Sequence, residues 1–216
     1  NQALASEVFC RITEQEKLVS ARIFLPMPER FNIAKTFNRL IIDEVRTRSE
    51  AANCNTPICI NLSPRSVRTM DFVDWLANYL DEHPFFARRL IIETSEYLVR
   101  TGDEHVRYLC DALHSRGARL SLDHFGIHSA AFGYLRSLPL DFLKIDRSFI
   151  RDIHLNPDNQ FYVQSLVQIA HSCEIVILAE GVENAQEWDC LRQLGIDGGQ
   201  GYLLGRPDSK INTARS

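Results

Sequence analysis

Leu90-Ile91-Ile92-Glu93 is a short apolar run ending on a carboxylate. After it come Val106, Leu109, Cys110 and Leu113 at helical spacing, then Gly117, then a second run, Arg119-Leu120-Ser121-Leu122-Asp123. Two runs too short for helices, separated by one amphipathic stretch, predict a strand–helix–strand unit with parallel strands. Gly117 stands where a helix closes through a residue with positive φ. Both strands end on an acid, so the carboxyl ends of the strands are where chemistry is expected.

The same rhythm extends in both directions. Upstream, Val8-Phe9-Cys10-Arg11-Ile12 reads as an opening strand and Phe31 to Thr47 as a long helix. Ile58-Cys59-Ile60-Asn61-Leu62-Ser63 reads as a strand closed by Pro64, and Phe72, Val73, Leu76, Tyr79 and Leu80 mark a helix face. Downstream, Phe142-Leu143-Lys144-Ile145 and Ile175-Val176-Ile177-Leu178-Ala179 read as strands. Phe161 to Cys173 and Ala185 to Leu194 read as helices, the latter ending at Gly195. Seven or eight such strands predict the α/β class and a single-domain, modified TIM-like (β/α)8 barrel, with a doubly wound open sheet as the alternative.

The 216 residues are 45% hydrophobic and 24% charged, with 10 Gly and 8 Pro, which excludes a disordered or collagen-like chain. A formal charge of −4 gives no general attraction to a nucleic acid polymer, so an anionic ligand has to be held locally. The six cysteines, Cys10, Cys54, Cys59, Cys110, Cys173 and Cys190, form no C-x-x-C pair and fit a reducing compartment. The apolar run Ile175 to Ala179 is far short of the roughly 20 residues that span a bilayer. Asn1 in place of an initiator methionine leads us to read residues 1–216 as a piece of a longer protein.

Glu7, Asn61, Glu93, Asp123, Lys144, Glu180 and Gln200 each stand at or near one end of an expected strand, at separations of 54, 32, 30, 21, 36 and 20 residues. After the first gap, each is about one βα repeat, so a closed barrel would gather these side chains at one mouth. The oxygen donors Glu7, Asn61, Glu93 and Asp123, with Glu180, suit Mg²⁺ or Mn²⁺. Two such ions about 3.5–4 Å apart activate a water and neutralise the leaving oxygen of a phosphodiester. Lys144 would add positive charge there, and Glu180 could take a proton. Taken singly, each carboxylate reads equally well as a helix cap or an arginine partner.

Eight ordered motifs now resemble the EAL domain family over about positions 7–207. They are Glu7-Val8-Phe9-x-Arg11, Phe24-Leu25-Pro26, Asn61-Leu62-Ser63, Glu93-Thr94-Ser95-Glu96, Asp123-His124-Phe125-Gly126, Lys144-Ile145-Asp146, Ala179-Glu180-Gly181-Val182-Glu183 and Gln200-Gly201-Tyr202. The resemblance implies a modified (β/α)8 barrel that binds cyclic di-GMP, which active members cleave to linear pGpG with two metal ions. It assigns Glu7, Asn61, Glu93 and Asp123 to metal, Lys144 and Gln200 to the reacting phosphate, and Glu180 to general base catalysis. It places Arg11 on a phosphate, on the same strand face as Glu7, and Pro26 with the Gly181-Val182 backbone against guanine. Phe9, Gly201 and Pro207 complete the implied nucleotide contacts, and Glu96, Asp146 and Glu183 steady the loop and the surroundings of the site, Asp146 and Glu183 also facing the nucleotide.

The departures bear on activity. The Glu-Ala-Leu that names the family reads Glu7-Val8-Phe9. The family's Asp-Asp-Phe-Gly-Thr-Gly-x-Ser-Ser reads Asp123-His124-Phe125-Gly126-Ile127-His128-Ser129-Ala130-Ala131. A histidine brings no negative charge and is a weaker ligand than carboxylate for Mg²⁺. Phe132 to Leu138 and Asn156 to Phe161 further resemble the degenerate EAL domains of LapD-type receptors, which bind cyclic di-GMP without turning it over.

The expectation is a cyclic di-GMP receptor domain that needs no metal to bind. The alternatives are a phosphodiesterase, at least weakly active, in which His124 serves as a substitute ligand for Mg²⁺ or Mn²⁺, and a module that binds only a protein. The resemblance further implies a homodimer formed through this domain, upstream GGDEF, HAMP or sensory domains, and a cytoplasmic position in an inner-membrane protein.

Overall fold

The computed structural model describes residues 3–14, 17–19, 24, 26–100, 104–127 and 132–208. The strands are β1 (Ser6–Val8), β2 (Ile12–Glu14), β3 (Lys17–Val19), β4 (Ile58–Asn61), β5 (Leu90–Ser95), β6 (Arg119–Phe125), β7 (Phe142–Ile145), β8 (Val176–Glu180) and β9 (Gly198–Gln200). The helices are α1 (Pro26–Arg30), α2 (Ala34–Ala51), α3 (Pro64–Val67), α4 (Met70–Glu82), α5 (Pro84–Ala87), α6 (Glu96–Arg100), α7 (Glu104–His114), α8 (Arg147–Ile150), α9 (Pro157–Ser172) and α10 (Ala185–Gln193). Two short 3₁₀ turns, Phe132–Arg136 and Ile153–Leu155, complete the described elements.

Among the described residues, seven strands form one sheet in the order β1-β4-β5-β6-β7-β8-β9, and β2 and β3 pair separately as an antiparallel hairpin. The chain is an α/β domain whose strands follow one another in sequence order, as in a TIM-like barrel, rather than a doubly wound sheet, whose strand order reverses. Its residues fall into two compact units that alternate along the sequence. Of the described residues, the first holds those between 3 and 93 and between 104 and 119, and the second those between 94 and 100 and between 120 and 208.

In the first unit β1 pairs in parallel with β4, Glu7 opposite Cys59, and β4 pairs with β5, Asn61 opposite Glu93. Ile58, Cys59 and Ile60, and Leu90, Ile91 and Ile92, are all buried, so both faces of these strands are covered and the runs read as continuously apolar. Helices α4 and α7 pack on one another and bury the faces expected from spacing: Phe72, Val73, Leu76 and Leu80 on one, Val106, Leu109, Cys110 and Leu113 on the other. Gly117 has φ +75°, with Ala118 N–H on the Leu113 carbonyl and Gly117 N–H on the His114 carbonyl. That is the Schellman closure its position predicts.

In the second unit β6, β7, β8 and β9 pair in parallel, with a register shift in β6 between Leu122 and Phe125. Helix α9 is capped by the Asn156 side chain, which accepts the Asn159 N–H, and α10 by a reciprocal box between Asn184 and Glu187.

Three boundaries differ from the sequence reading. The opening strand ends at Val8, and Phe9, Cys10 and Arg11 lie beyond it. The ladder stops at the Val8–Ile60 pair, so the strand-face alternation that put Arg11 beside Glu7 does not operate. The long helix runs Ala34–Ala51, displaced toward the C-terminus because Asn32 adopts φ +58° and ends the preceding turn. Helix α9 starts at Pro157, four residues before Phe161, because proline fits the first helical position. His128, Ser129, Ala130, Ala131 and Leu25 lie outside the described residues.

Candidate functional site

The carboxyl ends of the first unit's strands carry Glu7, Asn61 and Glu93. Asn61, the last residue of β4, donates from Nδ2 to Glu7 Oε1 at 2.8 Å. Glu93 is fully buried, and its Oε2 accepts the Cys59 thiol at 3.1 Å. A carboxylate removed from water requires such partners to persist there. Nothing in spacing alone pointed to Cys59, one strand away and two residues before Asn61.

The contacts implied for the nucleotide in this unit lie at the surface. Phe9 is 45% exposed and Arg11 is exposed; Arg11 Nη1 donates to the Cys10 carbonyl at 2.9 Å, with its guanidinium 5.8 Å from the Phe9 ring. These are contacts a ligand can displace. Pro26 opens α1 and is exposed.

In the second unit, Asp123 and His124 sit on β6 at the register shift. His124 has φ +55°, a left-handed conformation uncommon outside glycine. Its N–H donates to Asp123 Oδ1 at 2.7 Å. The ring then meets three carboxylates: Nδ1 lies 3.0 Å from Asp146 Oδ2 and 3.6 Å from Glu180 Oε2, and Nε2 lies 3.4 Å from Asp123 Oδ2. Lys144, 5% exposed on β7, places Nζ 3.3 Å from Glu180 Oε1.

Asp146 caps α8, its Oδ1 accepting the Ser148 N–H at 2.8 Å. Burial works to raise the Asp146 carboxyl, but the Ser148 hydrogen bonds and then His124 outweigh it and hold it below the ordinary carboxylate range. Its two oxygens are therefore committed to a helix cap and to His124, a pairing that the linear order conceals.

Glu180 and Gln200 face one another in register across β8 and β9. The segments after these strands are joined by backbone: Val182 N–H donates to the Gln200 carbonyl at 2.9 Å and Leu203 N–H to the Val182 carbonyl at 3.2 Å. A Cβ on Gly201 would lie 2.1 Å from the Val182 oxygen, so only glycine permits this approach. Gly181 is half-buried and Val182 buried, while the Glu183 and Pro207 side chains are exposed. Glu183 N–H is held by Glu187, a buried residue that sequence reading passed over.

Among the described His, Cys, Asp and Glu residues, the group with ligand atoms gathered closely enough for a metal ion is Asp123, His124 and Glu180, within 4.8 Å of one another. One donor is an imidazole, so this set fits a single ion with mixed nitrogen and oxygen ligands and suits Mn²⁺ better than Mg²⁺. Glu7, Asn61 and Glu93 supply only oxygen donors and suit a hard ion.

Residues 1–207 match the EAL domain family. The chain belongs to that family. This EAL domain is 30% identical over 203 residues to the cyclic di-GMP phosphodiesterase PdeF of Escherichia coli K12, covering 93% of this chain and 27% of that protein. It is 29% identical over 197 residues to the bifunctional diguanylate cyclase/cyclic di-GMP phosphodiesterase MucR of Pseudomonas aeruginosa, covering 89% and 29%. The chain thus spans less than a third of the length of these two curated relatives. A solved MucR phosphodiesterase in complex with c-di-GMP superposes with a TM-score of 0.83 at 30% identity, over 94% of this chain and 85% of that one. The S helix-GGDEF-EAL portion of Vibrio cholerae LapD, bound to c-di-GMP, superposes at 0.87 and 23% identity over 94% and 50%, a likeness of fold. Among the described residues no helix of this EAL domain is long and apolar enough to cross a membrane.

Proposed function

We propose that this EAL domain is a cyclic di-GMP receptor whose phosphodiesterase centre no longer turns over. One observation carries the reading: His124 stands among Asp123, Asp146 and Glu180, with Nδ1 3.0 Å from Asp146, where the family motif has a second aspartate. A divalent ion, when bound, supplies the Lewis acid that lowers the pKa of a water and neutralises the leaving oxygen. In this chain Glu180 Oε1 is engaged by Lys144 at 3.3 Å and Asp146 by His124. Arg11 is the candidate for gripping a phosphate through charge-assisted hydrogen bonds, and Gln200, Gly201, Val182 and Pro207 for bounding the nucleotide.

A second reading is supported by the Asp123, His124 and Glu180 cluster, whose ligand atoms lie within 4.8 Å and could hold one ion. On that reading the domain is a slow phosphodiesterase that prefers Mn²⁺. Incubating the purified domain with cyclic di-GMP and either Mg²⁺ or Mn²⁺, and measuring bound nucleotide and linear pGpG together, separates the two. Binding without multiple turnover is expected, and sustained production of pGpG would overturn the receptor reading. We further read the domain as the homodimerising cytoplasmic module of a longer inner-membrane protein with GGDEF, HAMP or sensory domains upstream, a reading supported by the motif resemblance.

A further inference from the structure

We infer that Tyr162 is a positioning residue for the end of β6 that carries His124, acting through the Gly126 peptide. Gly126 is two residues beyond His124, and its peptide groups are gripped from two directions. Its N–H donates to Glu96 Oε2 at 3.2 Å, and its carbonyl accepts the Tyr162 hydroxyl at 2.9 Å. Glu96 is 1% exposed at the start of α6, and its other oxygen accepts the Tyr134 hydroxyl at 2.9 Å. α6 and α9 thus grip one buried peptide, and the 3₁₀ turn Phe132–Arg136 braces the Glu96 side chain that holds it.

The fit leaves no slack. A Cβ added to Gly126 would lie 3.2 Å from the Tyr162 hydroxyl oxygen and 3.4 Å from Leu166 Cδ1. The Tyr162 ring itself is braced by Phe149, with centroids 4.7 Å apart. Burial, and then the charge of Glu96, raise the Tyr162 hydroxyl above its ordinary pKa, which keeps it protonated as a donor.

The consequence lies upstream. A non-glycine residue in the left-handed region persists only where its surroundings over-determine it. His124, at φ +55°, is held on its ring side by Asp146 and on its chain side by the fixed Gly126 peptide. Removing the Tyr162 hydroxyl leaves a buried carbonyl without that donor, so the segment gains a reason to rearrange toward water. His124 then relaxes toward extended backbone, and its ring leaves Asp146, Glu180 and Asp123. The hydrogen bond of Tyr162 goes to the Gly126 carbonyl rather than to these carboxylates, so its effect on His124 passes through the backbone at the end of β6.

The test is Tyr162→Phe, which removes one oxygen and keeps the ring against Phe149. In ¹⁵N spectra of the imidazoles, with the His124 signal assigned by its loss in His124→Asn, the hydrogen-bonded Nδ1 resonance is expected to shift or broaden. Cyclic di-GMP affinity, which rests on the receptor reading above, is expected to weaken about five-fold, the worth of one hydrogen bond. Tyr134→Phe, on the far side of Glu96, is expected to move the same resonance by an independent route. Phe149→Leu, which loosens the ring but keeps the hydroxyl, serves as the packing control and is expected to lower the melting temperature while moving the His124 signal less than Tyr162→Phe does.

An unshifted Nδ1 resonance in Tyr162→Phe overturns the proposal, as does an equal shift in Phe149→Leu. If the wild-type domain binds no cyclic di-GMP, the receptor reading fails, while the imidazole spectra still decide the role of Tyr162.

Discussion

His124→Asp is the perturbation that bears most directly on how this centre is balanced. It deletes a ring nitrogen that sits 3.0 Å from Asp146, and it sets a fourth carboxylate beside Asp123, Asp146 and Glu180. Aspartate tolerates the left-handed region about as well as histidine, so the φ of +55° adds no backbone term. Two unit charges 4 Å apart interact by about 1 kcal/mol in bulk water and more where the dielectric is lower. The His124 side chain is 58% exposed, so the water value applies to each new repulsion. Three repulsions at that value, partly relieved by rotation, and one lost hydrogen bond of about 1 kcal/mol come to roughly 3 kcal/mol. For a domain of this size that lowers the melting temperature by about 6–12 °C. The assay is thermal unfolding in EDTA and then in saturating Mg²⁺. The variant is expected to melt well below wild type in EDTA and to regain most of the loss with Mg²⁺, since a ligand at 100 times its dissociation constant stabilises by about 2.7 kcal/mol. A variant that melts with wild type in EDTA refutes the claim that His124 offsets the carboxylates around it.

Three further outcomes are expected. Arg11→Ala weakens cyclic di-GMP binding about ten-fold or more in calorimetry with an unchanged melting temperature, because the side chain is exposed and its phosphate contact is worth roughly 1.5–3 kcal/mol; unaltered affinity would make it an ordinary surface charge. Glu187→Ala removes a buried carboxylate that accepts N–H groups from Asp152, Glu183 and Asn184 at 2.9, 2.8 and 3.3 Å, and destabilises the fold by about 3 kcal/mol on denaturant titration. Burial works to raise Glu187, but those backbone hydrogen bonds win and lower it. Its stabilisation is therefore complete above the unfolded carboxyl pKa and lost as pH falls through the folded one, so wild type and Glu187→Ala converge in stability on acidification; a gap constant down to low pH would contradict this. Gly201→Ala, whose Cβ would sit 2.1 Å from the Val182 oxygen, is expected to lower both the melting temperature and nucleotide affinity, and full retention of both would show that the two segments are not locked together.

Much of the fold was legible because it rests on signals that are local in the chain. Continuous apolar runs mark strands covered on both faces, and Ile58-Cys59-Ile60, Leu90-Ile91-Ile92 and Leu120-Ser121-Leu122 are all buried. The faces of α4 and α7 follow directly from the 3.6-residue period. Helix closures were only half legible. Gly117 and Gly195 announce themselves, but Asn53 and Glu174 occupy the same left-handed position, at φ +48° and +59°, and complete the same pair of hydrogen bonds. The end of β1 at Val8 was hidden for a different reason: Phe9 and Cys10 are acceptable strand residues, but the ladder with β4 ends at the Val8–Ile60 pair, and Ile12 joins the separate β2–β3 hairpin.

The site divides along the same line. Residues at strand ends can be found by counting repeats, because the sheet carries them; Glu7, Asn61, Glu93, Asp123, Lys144, Glu180 and Gln200 all lie in strands of the sheet. What each side chain is paired with depends on contacts far apart in sequence: Cys59 with Glu93, His124 with Asp146, Tyr162 with Gly126, Glu187 with Asp152. This separation bears on how such a domain can lose turnover and keep a ligand. Positions set by the ladder survive a substitution in a connecting loop, since parallel backbone hydrogen bonds do not depend on which side chain follows the strand. The charge balance around Asp146 and Glu180 is set by few side chains, Lys144 beside Glu180 and His124, which reaches both from a left-handed backbone. On the receptor reading, exchanging the one residue at position 124 removes negative charge from the ion-binding group while leaving Arg11, Gln200 and Gly201 untouched. Turnover and binding then become separable, and cyclic di-GMP affinity in His124→Asp is expected to depend far more steeply on Mg²⁺ than in wild type.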